Sequence, residues 1–315
     1  MNRLLFVIFI AFFASLLLYP LVIPLLRKVK AGQNILSYVE MHAQKQGTPT
    51  MGGVVFVPIA AVAAICFSQE RPVLVACVSA LAFLFVGFLD DFFKIRGGKN
   101  QGLRAWQKML FLLAVGAAAS VYAYRFGFTE VYVPFTYLSF DLGAWFIPFG
   151  IFVYAATVNC VNLTDGADGL AAACSLVYLA FLGIILMIQA EMASLSVVAF
   201  AFVGALAAFL LFNTGKASVF MGDTGSLALG GVIATLSLVS GNAFYIVILG
   251  IPFLLSGISV ILQVAVFKLT HKRIFRMSPL HHHFQMKGYS EQKIVYAYSL
   301  LSVGMGLVAV CSLIV

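Results

Sequence analysis

Asp90 and Asp91 stand side by side, with Lys94 four residues beyond Asp90. Adjacent carboxylates repel when both are ionised and need a cation nearby. The four-residue step joins neighbours on a helix face, which also allows a plain ion pair at a solvated helix end. Asp223 lies in Phe220-Met221-Gly222-Asp223-Thr224-Gly225-Ser226. Its glycines let the backbone fold tightly around an ion. Magnesium takes one or two protein carboxylates and leaves its remaining positions to phosphates and water. The competing reading is a capping Asp at a helix start. Asn159, Asn162, Asp165 and Asp168 recur every three residues, so in a helix they share one face. Asn amides can read a polar base or sugar, and carboxylates can hold a hydroxyl or a metal. Gly166 and Gly169 weaken the helix there and leave part of the segment free to be a loop.

Three further stretches carry polar chemistry. Gly47-Thr48-Pro49-Thr50-Met51-Gly52-Gly53 opens a helix, whose free amides and positive dipole end favour an anion; Lys45 sits just upstream. Asn213 is in the turn Phe212-Asn213-Thr214-Gly215-Lys216, while Lys108 and Arg104 add positive charge at the start of another helix. In Ser278-Pro279-Leu280-His281-His282-His283-Phe284-Gln285, Ser-Pro marks a helix start. Consecutive residues on a helix diverge by about 100°. His281, His282 and His283 therefore cannot converge on one zinc ion; near a helix start they could instead bind phosphate.

Long apolar helices must position these groups. The chain has 315 residues, 63% hydrophobic and 10% charged. A soluble domain has about 25% charged residues, so the solvent for this surface is a membrane. Spanning the hydrocarbon takes about 20 apolar residues. Ten candidate spans meet or approach that length: 4–26, 51–67, 72–89, 107–124, 144–160, 170–189, 194–212, 226–240, 243–268 and 294–314. They are too long and too continuously apolar for barrel strands. The expected fold is an all-α integral membrane bundle, forming one polytopic domain over 1–315. The first apolar stretch exceeds the roughly 7–15 residues of a signal-peptide core, so no cleaved leader is expected. Pro252 should kink the ninth span and open a groove for a lipid chain. The segment 125–143 should form a small hairpin.

Placing the loop from Arg27 to Gly47 in the cytoplasm puts every Lys and Arg inside except Arg3, Arg71 and Arg125. All five histidines and the five Asp residues named above then fall inside too, and both termini lie outside. The net charge of +8 is thus a topology signal, and no nucleic-acid partner is expected. The five cysteines have neither metal nor disulfide spacing.

Together the motifs GTPTMGG at 47–53, DDFFK at 90–94, NLTDGADGL at 162–170, FMGDTGS at 220–226 and SPLHHHFQ at 278–285 resemble those of the phospho-N-acetylmuramoyl-pentapeptide transferases. That family lies within the polyprenyl-phosphate N-acetylhexosamine-1-phosphate transferases. The resemblance covers essentially the whole chain. It departs at Asn34 to Met41, which lacks an expected Arg-Glu and Gly-Pro, and at Ala167, which replaces a larger apolar residue. The resemblance implies ten membrane helices, a bacterial inner-membrane location and a cytoplasmic active site. Its substrates would be UDP-N-acetylmuramoyl-pentapeptide and undecaprenyl phosphate. Mg2+ would be the cofactor, and lipid I and UMP the products. On this basis Asp90, Asp91, Asp165, Asp168, Asp223 and His281 form the expected catalytic set, with Asp223 the metal ligand. Lys45, Thr50, Lys94, Lys108, Asn159, Asn162, Asn213, His282 and His283 form the expected substrate-binding set. Direct attack by the lipid phosphate and a covalent Asp-phosphoryl route both stay open, and a homodimer is admitted. The rivals are a sister transferase using UDP-N-acetylglucosamine and, distantly, an ion-coupled transporter. Transporters place binding acids near the bilayer midplane, unlike the helix-end acids here.

Overall fold

Long apolar runs become helices because the hydrocarbon offers no partner for an open backbone. A computed structural model describes residues 2–29, 47–97, 102–136 and 138–313. Its helices are α1 (Asn2–Lys28), α2 (Gly53–Phe67), α3 (Arg71–Gly97), α4 (Ala105–Arg125), α5 (Phe146–Thr164) and α6 (Leu170–Ile188). There follow α7 (Ser196–Asn213), α8 (Gly222–Val239), α9 (Tyr245–Leu249), α10 (Ile251–Thr270), α11 (Leu280–Gln285) and α12 (Glu291–Cys311). Among the described residues nine helices are long and apolar enough to cross a membrane, and the apolar α2 is shorter, at 15 residues. The protein is a multi-pass helical membrane protein. Of the ten expected spans, the second is therefore the short α2. The expected hairpin forms between α4 and α5, where β1 (Glu130–Tyr132) pairs antiparallel with β2 (Ser139–Asp141) and Val131 lies opposite Phe140.

At the centre of the bundle is α8. Of its apolar window 89% is buried, against 28% for α1, α10 and α12 and 17% for α4. It packs chiefly on α3 and α5. A chain of buried hydroxyls, Tyr154 on α5, Thr235 on α8 and Ser79 on α3, ties the three together. Near the reactive end the fit depends on missing side chains. A Cβ on Gly87 of α3 would run into the backbone carbonyl of Asp223 on α8. Gly222, which opens α8, has φ +71°, and a Cβ there would meet Asp91 Oδ2 and Thr50 Oγ1. Glycine tolerates that conformation without steric cost.

Two expectations about local geometry change. The ninth span breaks into α9 and α10 at Gly250, with Pro252 in the first turn of α10. Proline is tolerated there, where its missing N–H costs no bond, so the break falls ahead of it. One face of α10, including Ile258, Ile261, Val264 and Phe267, is exposed. And α5 stops at Thr164, with Asp165 past its end at φ −78°, ψ 50°. Asn159, Asn162, Asp165 and Asp168 thus do not continue along one helical face; the glycines win over the three-residue repeat.

Candidate active site

Four helix ends meet around Asp223. Its Oδ2 lies 2.6 Å from Lys94 Nζ and 3.0 Å from Lys108 Nζ, and its Oδ1 accepts from Asn162 Nδ2 at 2.6 Å. Lys94 also lies 2.6 Å from Asp90 Oδ2 and 3.7 Å from Asp91 Oδ1. Asn162 is itself held, its Oδ1 accepting from Lys108 at 3.1 Å and its Nδ2 donating to Ser226 Oγ at 2.8 Å. The pairs come from α3, α4, α5 and α8, so no single segment could build the site.

The two adjacent carboxylates do different work. Asp91 Oδ2 accepts from Thr224 N at 2.9 Å and from Thr224 Oγ1 at 2.7 Å. It caps the start of α8 from another helix and fixes where Asp223 projects. Asp90 Oδ1 accepts from Leu103 N at 2.8 Å, and its other oxygen stays in the cluster. Asp90, Asp91 and Asp223 offer carboxylate oxygens that all lie within 4.8 Å of one another. An all-oxygen, anionic set suits a hard divalent cation. A cavity of about 500 Å³ opens on this cluster, lined by Asp90, Lys94, Gly102, Leu103, Arg104, Lys108 and Asp223.

Beside the cluster the groups are kept neutral. Burial first, then the negative charges of Asp223, Asp91 and Asp168, push the Asp165 carboxyl up to about 8. His281 is fully buried, and burial followed by the neighbouring His282 pushes its imidazole down to about 3. Neither of its ring nitrogens has a hydrogen-bond partner among the described residues. Its Nε2 points at Gly166, where a Cβ would collide with it. His282 Nδ1 lies 2.6 Å from Gln285 Oε1, and the His281 and His282 ring centres are 4.2 Å apart. His283 turns away, its Nδ1 accepting from the Arg276 backbone N–H at 3.1 Å. The three imidazoles thus face three different environments on the expected short helix.

The Glycosyl transferase family 4 profile matches residues 73–241, and the Phospho-N-acetylmuramoyl-pentapeptide-transferase signature 1 matches residues 45–57. A phospho-N-acetylmuramoyl-pentapeptide-transferase of Clostridium perfringens (strain 13 / Type A) is 44% identical over 310 residues, 97% of each chain. One of Clostridium novyi (strain NT) is 43% identical over 321 residues, covering 100% of this chain and 98% of the relative. The chain belongs to the phospho-N-acetylmuramoyl-pentapeptide-transferase family.

Within this family member the expected site residues divide. Asp90, Asp91, Lys94, Lys108, Asn162 and Asp223 are brought into direct contact. Thr50 is buried against Gly222, at the edge of the cluster. Asn159 turns back to donate to Ala155 O at 2.7 Å. Asn213 is buried, accepting from Gly169 N at 3.0 Å and donating to Val219 O at 2.9 Å. Asp168 Oδ2 accepts from Ala217 N at 3.3 Å. These last two tie the loop after α5 to the loop after α7, so the structure gives them a positioning use. Lys45 lies outside the described residues. Ser226, Thr224 and the Leu103 amide join the site without having been singled out. The first two stood inside the Asp223 motif; a backbone amide leaves no mark in sequence.

Proposed function

We propose that this protein transfers phospho-N-acetylmuramoyl-pentapeptide from its UDP-linked donor to undecaprenyl phosphate, giving lipid I and UMP. The observation that carries the reading is the carboxylate–lysine cluster at four helix ends, in a chain matching such transferases along its whole length. Asp223, Asp90 and Asp91 would hold the Mg2+. Bound there, the ion would offset the charge of the donor's pyrophosphate and favour departure of the UMP oxygen.

Phosphoryl transfer needs positioning and charge compensation more than covalent help. Lys94 and Lys108 supply positive charge at the cavity wall, where two anionic substrates must approach each other. Asn162 orients Asp223 through its amide. Asp90, in the cavity wall with one oxygen on the Leu103 amide and the other on Lys94, would help to orient the lipid phosphate. A phosphate monoester is largely deprotonated near neutral pH, so no strong base is required. Asp165, protonated near pH 7, can donate a hydrogen bond without adding negative charge. His281, neutral, keeps a free ring nitrogen beside Gly166. His282 and Thr50 are assigned to substrate contacts at the rim and Lys45 to substrate binding, with Asp168, Asn159, Asn213 and His283 supporting the loops around the site.

The donor is water-soluble and the acceptor's phosphate must stay at the interface, because charge is costly in hydrocarbon. The cluster is therefore assigned to the cytoplasmic side of the bacterial inner membrane, with both termini outside and residues 1–315 acting as one domain. The test is UMP release by the purified protein. It should require both UDP-N-acetylmuramoyl-pentapeptide and undecaprenyl phosphate, with magnesium present. Release of UMP without the lipid would favour the covalent route. Preferential use of UDP-N-acetylglucosamine would overturn the donor assignment.

A further inference from the structure

Helix α4 starts beside the carboxylate cluster but is seated away from it. It packs chiefly on α5, where a Cβ on Gly116 would stand 2.9 Å from Tyr154 Cβ, and only 17% of its apolar window is buried. Two grips hold its start to the cluster. Lys108, in its first turn, reaches Asp223 Oδ2 at 3.0 Å and Asn162 Oδ1 at 3.1 Å. Just ahead of the helix, Leu103 N donates to Asp90 Oδ1 at 2.8 Å. This second grip depends on the neighbouring Gly102, which also lines the carboxylate cavity.

A Cβ on Gly102 would lie 2.6 Å from Asp90 Oδ1 and 2.9 Å from both its Cγ and its backbone O. A side chain at 102 would therefore have to push the carboxylate back or lift the Leu103 amide off it. Neither move is isolated. Asp90 is buried, and its Oδ2 is 2.6 Å from Lys94, which also holds Asp223. Interiors are packed too closely to absorb such a shift in one place. Gly97, at the end of α3, makes the contrast: a Cβ there would meet nothing within 4 Å.

We propose that Gly102 is a positioning residue for the transfer reaction. By leaving room for the Leu103 amide to reach Asp90, it fixes the direction in which that carboxylate meets the acceptor phosphate. The inference rests on the transferase reading. The same hydrogen bond could serve only to staple the start of α4. A staple acts on stability, and it works equally well with an amide at residue 90. Positioning acts on turnover, and it works only through the carboxylate.

The test is steady-state UMP release by the purified full chain with UDP-N-acetylmuramoyl-pentapeptide, undecaprenyl phosphate and magnesium, with thermal unfolding measured alongside. Gly102→Ala should lower kcat roughly tenfold to a hundredfold, the scale of an ångström-sized misplacement. The KM for the donor should stay within about twofold, because the lysines and Asp223 are left in place. Gly97→Ala should match wild type in both constants. In an Asp90→Asn background, whose amide oxygen can still accept from Leu103, Gly102→Ala should lower kcat by less than about a further twofold. If Gly102→Ala does not fold, Leu103→Pro takes its place: it removes the N–H ahead of the helix, where proline breaks no helical bond. Wild-type kcat in the folded variant would overturn the proposal. An equal fold-loss in the wild-type and Asp90→Asn backgrounds would also overturn it, leaving only the staple. No UMP release by the wild-type protein would instead sink the transferase reading.

Discussion

Asp223 meets two lysines and an amide through two oxygens, and its helix start is held by a third party, Asp91. Replacing it with Asn keeps the shape and removes the charge. Asp223→Asn should lower turnover on the order of a hundredfold or more, as loss of a transition-state electrostatic partner does, while the unfolding temperature stays near wild type. Wild-type activity at limiting magnesium would sink the ligand assignment. His281 makes a separate prediction. Its folded value, about 3, lies below the ordinary 6.5. The unfolded chain therefore takes up a proton first on acidification. The contribution of His281 is fully present above about pH 6.5 and is lost as pH falls toward 3. His281→Phe should flatten that part of the unfolding-temperature profile; an unchanged slope would refute a buried neutral imidazole. Asp165 has the opposite sign, because its folded value of about 8 exceeds the ordinary 3.8. Stability from its neutral form is lost as pH rises through that window, so Asp165→Asn should gain relative stability toward pH 8. The Asp–Lys spacing at 90–94 and the glycine-flanked Asp223 were legible as chemistry. The contacts of Asn159 and Asn213 were not legible, because periodicity and motif position do not say whether a side chain turns back onto its own helix, as Asn159 does, or bridges two loops, as Asn213 does.

At the scale of the element, the junction of α3 and α8 decides the geometry. Gly87 lets the two backbones touch beside Asp223. Gly87→Ala should force them apart. Overpacking of this kind typically costs about 1–3 kcal/mol, which thermal unfolding would register together with a loss of activity. A variant as stable and as active as wild type would show that the close approach is dispensable. Most helices were legible as uninterrupted apolar runs. The start of α8 was less so: the apolar run begins at 226, whereas Asp91 and the close packing draw Gly222, Asp223 and Thr224 into the helix. The break at Gly250 was displaced for a related reason: proline forbids a bond to what precedes it, and the helix restarts where that loss is harmless.

Across the whole molecule, α4 runs from Arg104 at the carboxylate cavity to the hairpin that follows Arg125. With 21 residues it spans about 30 Å, the thickness of a bilayer core. In a cysteine-free background, Arg104→Cys should react with an impermeant maleimide only from the cytoplasm, and Ser139→Cys only from outside. Labelling of both from the same face would end the proposed topology. The buried position of α8 also bears on how the protein is made. With a mean hydropathy of 1.3, against 2.7 for α1, it is a weak candidate for insertion by itself. Its neighbours α3 and α5 leave the ribosome earlier and can already line a berth when it emerges. The translocon need not deliver α8 to lipid at all; it can hand the helix directly to its partners. Asp223, on the first turn of that late arrival, would then reach its lysines only once the preceding helices are seated. A nascent chain would stay chemically silent until its own insertion was nearly finished.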